Sequence, residues 1–264
     1  TILCGDASVF IRPRIIPVLL IDDRDLIKTV QFDKRRYLGD PVNAVKIFNR
    51  KGIDELAVLD ISATKKGKEP DWELLQDIAR EAFMPLSYGG GITNVEQVRR
   101  LMAIGYEKVV INTALIEDIE MVEEAIALVG SQSVVASIDA VKRCGEYKCV
   151  IRDGSKVIDI SPAALARQME AKGVGEIFLN SVDCDGMMQG YDIPLIKSVT
   201  DAVKIPVTAC GGAGNIQDLK KAIEEGRAHA AAGGSLFVYY GKLKAVLITF
   251  PTEEELVRNG IYQM

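Results

Sequence analysis

Eight short β-rich runs alternate with amphipathic helical stretches along this chain, and the alternation limits the possible folds more than any other feature. Strands that are continuously apolar must be covered on both faces, and helical crossovers between them make the strands parallel. Eight such units predict a closed (β/α)8 barrel, with a doubly wound open sheet as the alternative. The predicted strands are RIIPVLL (14–20), ELAVLD (55–60), MPLSYG (84–89), KVVIN (108–112), SVVASID (133–139), EIFLNS (176–181), IPVTAC (205–210) and HAAAG (229–233).

The two halves of the chain also match each other at a fixed offset of 121 positions. The matched pairs are Glu55 with Glu176, Pro85 with Pro206, Gly90 with Gly211, Gly91 with Gly212 and Leu115 with Leu236. A repeat of this length contains four strands and their helices, so each copy is half of a barrel. The sequence therefore predicts an α/β TIM barrel made of two half-barrel repeats.

The length and the apolar content agree with a single barrel. The chain has 264 residues, of which 48% are hydrophobic, and this is within the range of one barrel domain. We therefore expect one domain over 1–264, with 1–12 as an N-terminal extension and 144–160 as a β-hairpin inserted after strand 5. The predicted helices include 41–51, 71–82, 95–104 and 119–129. No window has the roughly 18 consecutive apolar residues of a membrane span, and 1–12 lacks an export signal, so we expect a cytoplasmic protein that does not contact membranes.

Charge and residue usage exclude several classes of function. A net charge of −5 with a pI near 5.2 argues against a nucleic-acid partner, because phosphate-backbone binding depends on clustered Lys and Arg. The single histidine is His229, and no two of the five cysteines have the two-residue spacing of a zinc or redox pair. We therefore predict free thiols, no metal site and no cofactor.

Two glycine-rich segments predict sites for phosphate groups. YGGGIT (88–93) and CGGAGN (210–215) each end a strand and open a helix, where small residues let backbone N–H groups approach an anion. Either segment alone could be only a tight turn, but the repeat pairs them, and NTA (112–114) and GGS (233–235) follow the neighbouring strands. The candidate phosphate-binding residues are Gly90, Gly91, Asn112, Thr113, Gly211, Gly212, Gly214, Gly234 and Ser235.

Acidic residues follow the same strand ends. Asp139 closes the fifth strand and Asp60 the second, and Asp183 and Asp185 come directly after the sixth. The carboxyl ends of barrel strands form the active-site face, and a carboxylate that ends an apolar strand is costly unless it is used. The alternative is that these residues cap helices or sit in solvated loops. With Ser181, the residues Asp60, Asp183 and Asp185 are the predicted substrate pocket.

Charged residues also stand at the opposite end of four strands. Arg14, Glu55, Lys108 and Glu176 begin strands 1, 2, 4 and 6. Two positive and two negative charges could close a ring over the floor of the barrel, where unpaired charges would be expensive. The alternative is four strand starts that are separately solvated.

Several of these segments, taken together and in order, resemble the HisF family, the cyclase subunit of imidazole glycerol phosphate synthase. The resemblance covers about 14–237 and is carried by RIIPVLL, RRYLGDPVNAVKIFN, ELAVLDISAT, PLSYGGGI, KVVINTA, SIDA, DGMMQGYD and IPVTACGGAG. It implies a barrel that receives ammonia from a HisH-like glutaminase docked at its N-terminal face. The substrate that it implies is a bis-phosphorylated ribulosyl aminoimidazole carboxamide nucleotide, which gives imidazole glycerol phosphate and an aminoimidazole carboxamide ribotide.

The resemblance also implies roles for single residues. It assigns the four charges at the strand starts to a gate for ammonia, Asp139 to one of two catalytic carboxylates, and Lys28, in the loop after strand 1, to a mobile-loop lysine. The second carboxylate of the family ends strand 1 in a Cys-Leu-Asp segment, but this chain reads Val18-Leu19-Leu20 there. The repeat independently sets Leu20 opposite Asp139. Asp22 has the strand parity of Leu20 and is the candidate substitute.

The end of the chain departs from the family as well. KAVLITFPTEEEL (244–256) looks strand-like, whereas the histidine-pathway enzymes carry a final helix, and the ending is more similar to a paralogous branch in surface-polysaccharide gene clusters. We therefore expect a barrel that supplies ammonia for amidation of a sugar, with a phosphorylated small molecule as substrate and a third amidotransferase protein as a further partner. The alternatives are a histidine-pathway cyclase that uses Asp22, and a non-catalytic barrel that docks and activates a glutaminase.

Overall fold

The computed structural model describes residues 12–263, so most of the predicted N-terminal extension and Cys4 lie outside the described residues. The strands are β1 (Arg14–Asp22), β2 (Asp25–Val30), β3 (Asp33–Gly39), β4 (Leu56–Asp60), β5 (Leu86–Gly89), β6 (Lys108–Ile111), β7 (Val134–Arg143), β8 (Glu146–Ile151), β9 (Lys156–Ile158), β10 (Glu176–Ser181), β11 (Val207–Cys210), β12 (Ala230–Gly233), β13 (Tyr239–Tyr240) and β14 (Ala245–Val246). The helices are α1 (Pro41–Lys51), α2 (Ala63–Lys66), α3 (Trp72–Glu81), α4 (Val95–Ala103), α5 (Ala114–Glu117), α6 (Ile119–Val129), α7 (Pro162–Ala171), α8 (Ile193–Thr200), α9 (Ile216–Glu224), α10 (Ser235–Val238) and α11 (Glu253–Arg258), with one 3-10 turn at Ser131–Ser133. No helix within 12–263 has the length and apolar content to cross a bilayer.

Eight parallel strands close into the predicted barrel. The order is β1, β4, β5, β6, β7, β10, β11 and β12, and β12 pairs with β1 to complete the circle. Each of the eight predicted strands overlaps one of them, and the predicted helices 41–51 and 119–129 agree with α1 and α6 to the residue. The prediction of a TIM barrel is confirmed, and the open sheet is excluded because no edge remains between β12 and β1.

Alternation along each strand separates two apolar layers. On β1, Ile15 and Leu19 belong to the core between the strands and the outer helices, whereas Ile16 and Val18 belong to a second cluster inside the barrel. The side chains of a strand point alternately to its two faces. The interior cluster is built largely from small and branched side chains, namely Ile16, Val18, Leu20, Ile27, Ala57, Val110, Val135, Phe178, Ala230 and Ala232.

The helices that follow the glycine pairs begin in the same way in both halves. Asn94 caps α4 by accepting from the N–H of Gln97, and Asn215 caps α9 by accepting from Asp218 N–H. Asparagine is among the preferred residues for this position, because its side chain satisfies a backbone donor that the helix leaves free. The two caps stand 121 positions apart, like the glycines before them, so the repeat extends to the start of the helices.

Two β-hairpins rise beyond the barrel at its carboxyl end. The hairpin predicted at 144–160 is present as β8 and β9, and it is joined to an extension of β7. A second one, β2 with β3, is joined in the same way to the extension of β1. The prediction that Lys28 lies in a loop is wrong, because Lys28 is part of β2 and its side chain is 6% exposed.

The strand-like prediction for 244–256 is also wrong in its main part. Only Ala245–Val246 forms a strand, in a small hairpin with Tyr239–Tyr240. The segment then turns into α11, which starts at a capping box in which Thr252 and Glu255 satisfy each other's backbone N–H groups. Because a helix lies near the end of the chain, the ending does not favour the paralogous branch over the histidine-pathway enzymes.

Candidate functional site

A cavity of about 430 Å³ opens at the carboxyl ends of the barrel strands. Nine of the predicted site residues line it: Lys28, Asp60, Gly90, Gly91, Asn112, Thr113, Asp139, Asp185 and Gly234. Eleven do not: Asp22, Ser181, Asp183, Gly211, Gly212, Gly214 and Ser235, and the four charged residues at the strand starts, Arg14, Glu55, Lys108 and Glu176. The cavity therefore joins the first glycine-rich corner to the centre of the barrel mouth.

Asp139 lines this cavity, at the point where β7 leaves the barrel and begins to pair with β8. It is 9% exposed, and the side chain of Asn112 donates a hydrogen bond to it (Nδ2 to Oδ2, 3.2 Å). Burial raises the pKa of Asp139 to about 7, because a charge is poorly solvated there; a hydrogen bond from Asn180 opposes the rise, and the negative charges of Asp153 and Asp185 add to it. A carboxyl group with a pKa near neutrality can both give and take a proton at physiological pH.

Leu20 occupies the position in β1 that Asp139 occupies in β7. The register shows this, because Leu20 pairs with Leu59 of β4 while Asp139 pairs with Asn180 of β10, and Leu59 and Asn180 are themselves 121 positions apart. The side chain of Leu20 lines the cavity and is 8% exposed. One half of the barrel therefore presents two leucines at the level where the other presents a carboxylate and an amide.

Asp22, the candidate substitute for the missing carboxylate, does not line the cavity. It lies where β1 continues into the hairpin and pairs with Arg35 and with Lys66. Its slight burial raises the pKa of Asp22, but hydrogen bonds from Lys66 and Ser62 and the charge of Arg35 outweigh burial and lower it. The structure thus does not bring Asp22 together with Asp139.

Lys28 reaches across the mouth from the β2–β3 hairpin to the other half of the barrel. Its ammonium lies 3.0 Å from Asp185 Oδ1, and Thr29 donates to the other oxygen of that carboxylate at 2.7 Å. Asp185 is 8% exposed, so the ion pair is shielded from water. This contact brings together two residues that the sequence analysis placed in the site separately, and it holds the hairpin over the cavity.

The first glycine-rich corner is shaped by close backbone approach. Gly90 and Gly91 have φ values of +123° and +68°, and a side chain on Gly90 would overlap the carbonyl of Asp60. Only glycine adopts such backbone without strain. Thr113 begins α5 on the same side of the cavity, and its hydroxyl accepts a hydrogen bond from the N–H of Arg152 at 3.3 Å.

The second glycine-rich corner is covered by the loop that follows β10. Gly190 N–H donates to the carbonyl of Gly212 at 2.9 Å, and side chains on Gly212 or Gly214 would overlap the carbonyls of Gly190 and Met188. Beside this corner the hydroxyl of Ser235 is buried and has no hydrogen-bond partner within the described range. A buried hydroxyl without a partner is costly, so it is available to a ligand.

The remaining predicted pocket residues have local structural roles. The carboxylate of Asp60 accepts hydrogen bonds at 2.9 Å from the N–H groups of Ser62 and Ala63, and so caps the turn into α2 at the wall of the cavity. Asp183 faces the outside, where it accepts from Lys142 N–H at 2.7 Å. Ser181 is buried behind the cavity wall.

The four charged residues at the strand starts form a closed ring inside the barrel floor. Arg14 contacts both Glu55 and Glu176, and Lys108 lies 2.8 Å from Glu55 and 3.0 Å from Glu176. Burial raises the pKa of Glu176, but the charges of Arg14 and Lys108 outweigh it and lower that pKa. The four side chains pair with one another, so the alternative of four separately solvated strand starts is wrong.

Several residues of the site were not predicted. Thr208 on β11 donates to Glu176 Oε1 at 2.5 Å and adds a fifth member to the ring. Asn180 stands next to Asp139, and Arg152 and Asp153 reach the cavity from the turn of the β8–β9 hairpin. The repeat aligns Asn180 with Leu59, a leucine that does not mark the position as part of a site. Nothing in the sequence around Asp153 distinguishes it from an ordinary turn residue.

Comparison with known proteins agrees with this geometry. A family model described as "Histidine biosynthesis protein" matches residues 14–244. The chain belongs to this family. Among its relatives is the "Putative imidazole glycerol phosphate synthase subunit hisF2" of Pseudomonas aeruginosa, 46% identical over 247 residues that cover 93% of this chain and 98% of that protein.

Two further relatives have similar names. The "Putative imidazole glycerol phosphate synthase subunit HisF" of Leptospira borgpetersenii is 48% identical over 243 residues, which cover 91% of this chain and 96% of the relative. The "Putative imidazole glycerol phosphate synthase subunit hisF3" of Vibrio vulnificus is 43% identical over 247 residues, or 93% and 95% of the two chains. The predicted resemblance to the HisF family is confirmed.

Proposed function

We propose that this protein is the ammonia-using synthase subunit of a glutamine amidotransferase complex. It takes ammonia from a HisH-like glutaminase at the N-terminal face of the barrel and adds it to a phosphorylated substrate in the cavity. The observation that carries the proposal is the closed ring of Arg14, Glu55, Lys108 and Glu176 at the floor, at the opposite end of the barrel from Asp139. Burying four paired charges costs desolvation free energy that apolar side chains at the same place would not, so the ring suggests a functional role.

The barrel interior between the ring and the cavity suits ammonia. Most of the side chains there are apolar, and those of Ala57, Ala230 and Ala232 are small. An apolar passage favours neutral ammonia over the ammonium ion, because an unpaired charge loses its hydration there. Transfer through the barrel also keeps ammonia from the proton donors of bulk water until it reaches Asp139.

Binding of a phosphorylated substrate is supported by the two corners. Gly90-Gly91 and Thr113 shape the wall of the cavity on one side, and beside the second corner the buried hydroxyl of Ser235 has no hydrogen-bond partner among the described residues. Two equivalent corners fit a ligand with two phosphate groups. The buried Asp139 favours a catalytic barrel over one that only docks and activates a glutaminase.

Among the catalytic alternatives, we favour amidation of a surface-polysaccharide sugar together with a third amidotransferase protein. Leu20 replaces a carboxylate that histidine-pathway cyclisation needs, and Asp22 is held by Lys66 and Arg35 instead of replacing it. Relatives named hisF2 and hisF3 are consistent with a paralogous branch. The histidine-pathway cyclase is the alternative, and the activity of the parent chain with the bis-phosphorylated nucleotide separates the two.

Calorimetric titration with that nucleotide tests the binding part of the proposal. Ser235→Ala and Thr113→Val should each weaken binding about tenfold or more, since a hydrogen bond to a charged group contributes about 1.5–3 kcal/mol. Ser198→Ala, on the outer helix α8, is the matched control and should leave binding unchanged. Equal affinity in the parent and in both corner variants would contradict phosphate binding at these corners.

A further inference from the structure

The tips of the two hairpins meet over the cavity. Phe32, in the turn of β2–β3, packs so close to Gly154, in the turn of β8–β9, that a Cβ there would lie 3.2 Å from its ring. Beside this contact, Arg35 of β3 lies 3.6 Å from the carboxylate of Asp153. Both Phe32 and Asp153 line the cavity. The β8–β9 turn is therefore part of the wall that faces Asp139.

The environment of Asp153 is that of a carboxylate with a functional role, not of an ordinary turn residue. Aspartate is common in hairpin turns, and the φ of +55° at this residue agrees with such a turn. A turn alone, however, would leave the side chain in water or bound to nearby N–H groups. Here the side chain of Asp153 is only 13% exposed. Its carboxylate accepts no hydrogen bond from any residue within 12–263. The only ion pair that it forms within this range is the long one with Arg35, at 3.6 Å. Burying a carboxylate in this way is unfavourable.

Charged groups from every neighbouring element act on Asp153. Burial raises the pKa of Asp153 to about 6; Arg35 of β3 and Lys65 of α2 lower it, and Asp22 of β1 and Asp185 after β10 raise it. Its negative charge in turn raises the pKa of Asp139 across the cavity. Two carboxyl groups that line one cavity, each with a pKa raised mainly by burial, are candidates for a general acid and a general base.

We propose that Asp153 contacts the substrate opposite Asp139 and is the second proton-transferring carboxylate of the site. The inference rests on the proposed function, because it takes ammonia and a carbonyl-bearing phosphorylated compound as the reactants. It explains how the cavity keeps two carboxylates although the end of β1 carries Leu20. The second carboxylate comes from the hairpin turn and not from the barrel strand.

The proton transfers balance within this pair. As the nitrogen lone pair of ammonia forms the C–N bond, the electron pair of the C=O bond moves to oxygen, which takes the proton of neutral Asp139. The carboxylate of Asp153 removes one proton from the positively charged nitrogen. The products are a carbinolamine, ionised Asp139 and neutral Asp153, and exchange of one proton between the two carboxyls through water restores the starting state.

Carbon-13 NMR titration of the aspartate carboxyls tests the pairing without requiring turnover. Asp153→Asn should lower the midpoint of the Asp139 titration by several tenths of a pH unit or more, because it removes a neighbouring negative charge. Asparagine tolerates the left-handed backbone at this turn, so the fold should be retained. Asp159→Asn is the control, since Asp159 lies on the same hairpin but is 91% exposed and paired with Lys148.

Steady-state rates with ammonium chloride and the bis-phosphorylated nucleotide test the catalytic role. Asp153→Asn should lower kcat about 100-fold and remove one limb of the pH profile, in line with the usual contribution of a general acid or base. Asp153→Glu should keep part of the rate, Asp159→Asn should keep all of it, and Leu20→Asp should restore rate to Asp153→Asn.

An Asp139 titration that does not change in Asp153→Asn overturns the proposal, and so does an unchanged kcat. If the parent chain neither binds nor turns over the nucleotide, the proposed function has failed for that substrate, and the titration alone decides whether the two carboxylates share a site. The two failures are thereby distinguished.

Discussion

Leu20 and Asp139 show how two structurally equivalent half-barrels can differ in chemistry through one residue. They hold the same register position, next to Leu59 and Asn180 respectively, so only the side chains differ. Leucine cannot carry a proton, and a general acid or base typically contributes about 10²- to 10⁴-fold in rate. We therefore expect the parent chain to be a poor cyclase of the histidine-pathway nucleotide.

Leu20→Asp should raise that cyclase rate at least about tenfold, because it places a carboxylate across the barrel mouth from Asp139. Initial rates with ammonium chloride and the nucleotide measure the effect. Leu20→Asn has nearly the same size but cannot ionise, so it should give no gain. Rates typical of the family in the parent chain would show that cyclisation does not need a carboxylate at position 20, and abolition of activity by Asp22→Ala would show that Asp22 is the working acid.

The burial of Asp139 also makes a prediction about stability. In the unfolded chain this carboxyl loses its proton near pH 3.8, whereas in the folded protein it keeps the proton to about pH 7. The folded state therefore binds more protons between these values, and its stability falls as the pH rises from about 4 to 7. Above pH 7 the full cost, on the order of a few kcal/mol, is present.

Asp139→Asn removes this cost, so it should raise the melting temperature at pH 8 and change it little at pH 4. Thermal unfolding of both proteins at the two pH values measures the difference. Asp159→Asn, an exposed aspartate, serves as the control and should not reproduce the effect. A melting temperature that is lowered equally at both pH values would mean that the hydrogen bond from Asn112 matters more than burial.

Single residues of the site were predictable where a strand end or the repeat indicated them. Asp139 follows an apolar strand, and the four ring residues precede such strands. Asp153 and Asn180 were missed for different reasons. An aspartate before a glycine in a hairpin turn is ordinary turn chemistry, and asparagine at a strand end carries no charge that would mark it. Their roles depend on which side chains meet across the barrel, which no local pattern specifies.

Among the secondary-structure elements, one hairpin was predicted and its equivalent was missed. The β8–β9 hairpin has glycine at both turns, Gly145 and Gly154, which is the usual turn signal. In β2–β3 the turns place Asp23, Arg24, Gln31 and Phe32 at positive φ with no glycine. That signal is therefore absent. The equivalence of the two hairpins becomes visible in the structure, where Leu20 pairs with Ile27 as Asp139 pairs with Val150.

The contact between the hairpins should be open to measurement by hydrogen exchange. Phe32→Ala removes the ring that packs against Gly154 and belongs to a small cluster with Val141, Val150 and Val182. We expect faster amide exchange in β2 and β8, with the barrel strands unchanged. Phe83→Ala is the matched control, because Phe83 is 91% exposed. Unchanged exchange at both hairpins would show that the contact between Phe32 and Gly154 does not stabilise them.

At the scale of the whole molecule, the fold could be predicted from the hydrophobic periodicity of the segments and from the number of strands. Eight apolar runs with helices between them left few arrangements, and closure by β12 against β1 agrees with the one predicted. The chain end was predicted less well, because the segment 244–256 looks strand-like, but Phe250 packs on Phe237 with ring centroids 5.4 Å apart and the capping box starts a helix. Tertiary packing therefore determined the conformation of this segment.

The two ends of the barrel give the last prediction, which concerns the passage of ammonia. Lys108→Met leaves Glu55 and Glu176 with Arg14 as their only charged partner in the ring, so the floor no longer has balanced charges. Turnover with glutamine and the glutaminase should fall at least about tenfold, because ammonia released by the glutaminase must cross this floor. Turnover with added ammonium chloride should change much less, since that ammonia can enter from the open mouth.

Lys172→Met is the control for this variant, because it removes a lysine from an exposed pair with Glu123, and exposed pairs contribute little to stability. Breaking a buried ion pair can cost about 3–5 kcal/mol, so the melting temperature of each variant is measured beside its rates. A folded Lys108→Met that loses both activities equally would assign the ring to structure alone. Selective loss with glutamine would assign it to the entry of ammonia, because only that nitrogen source must pass between the four charges.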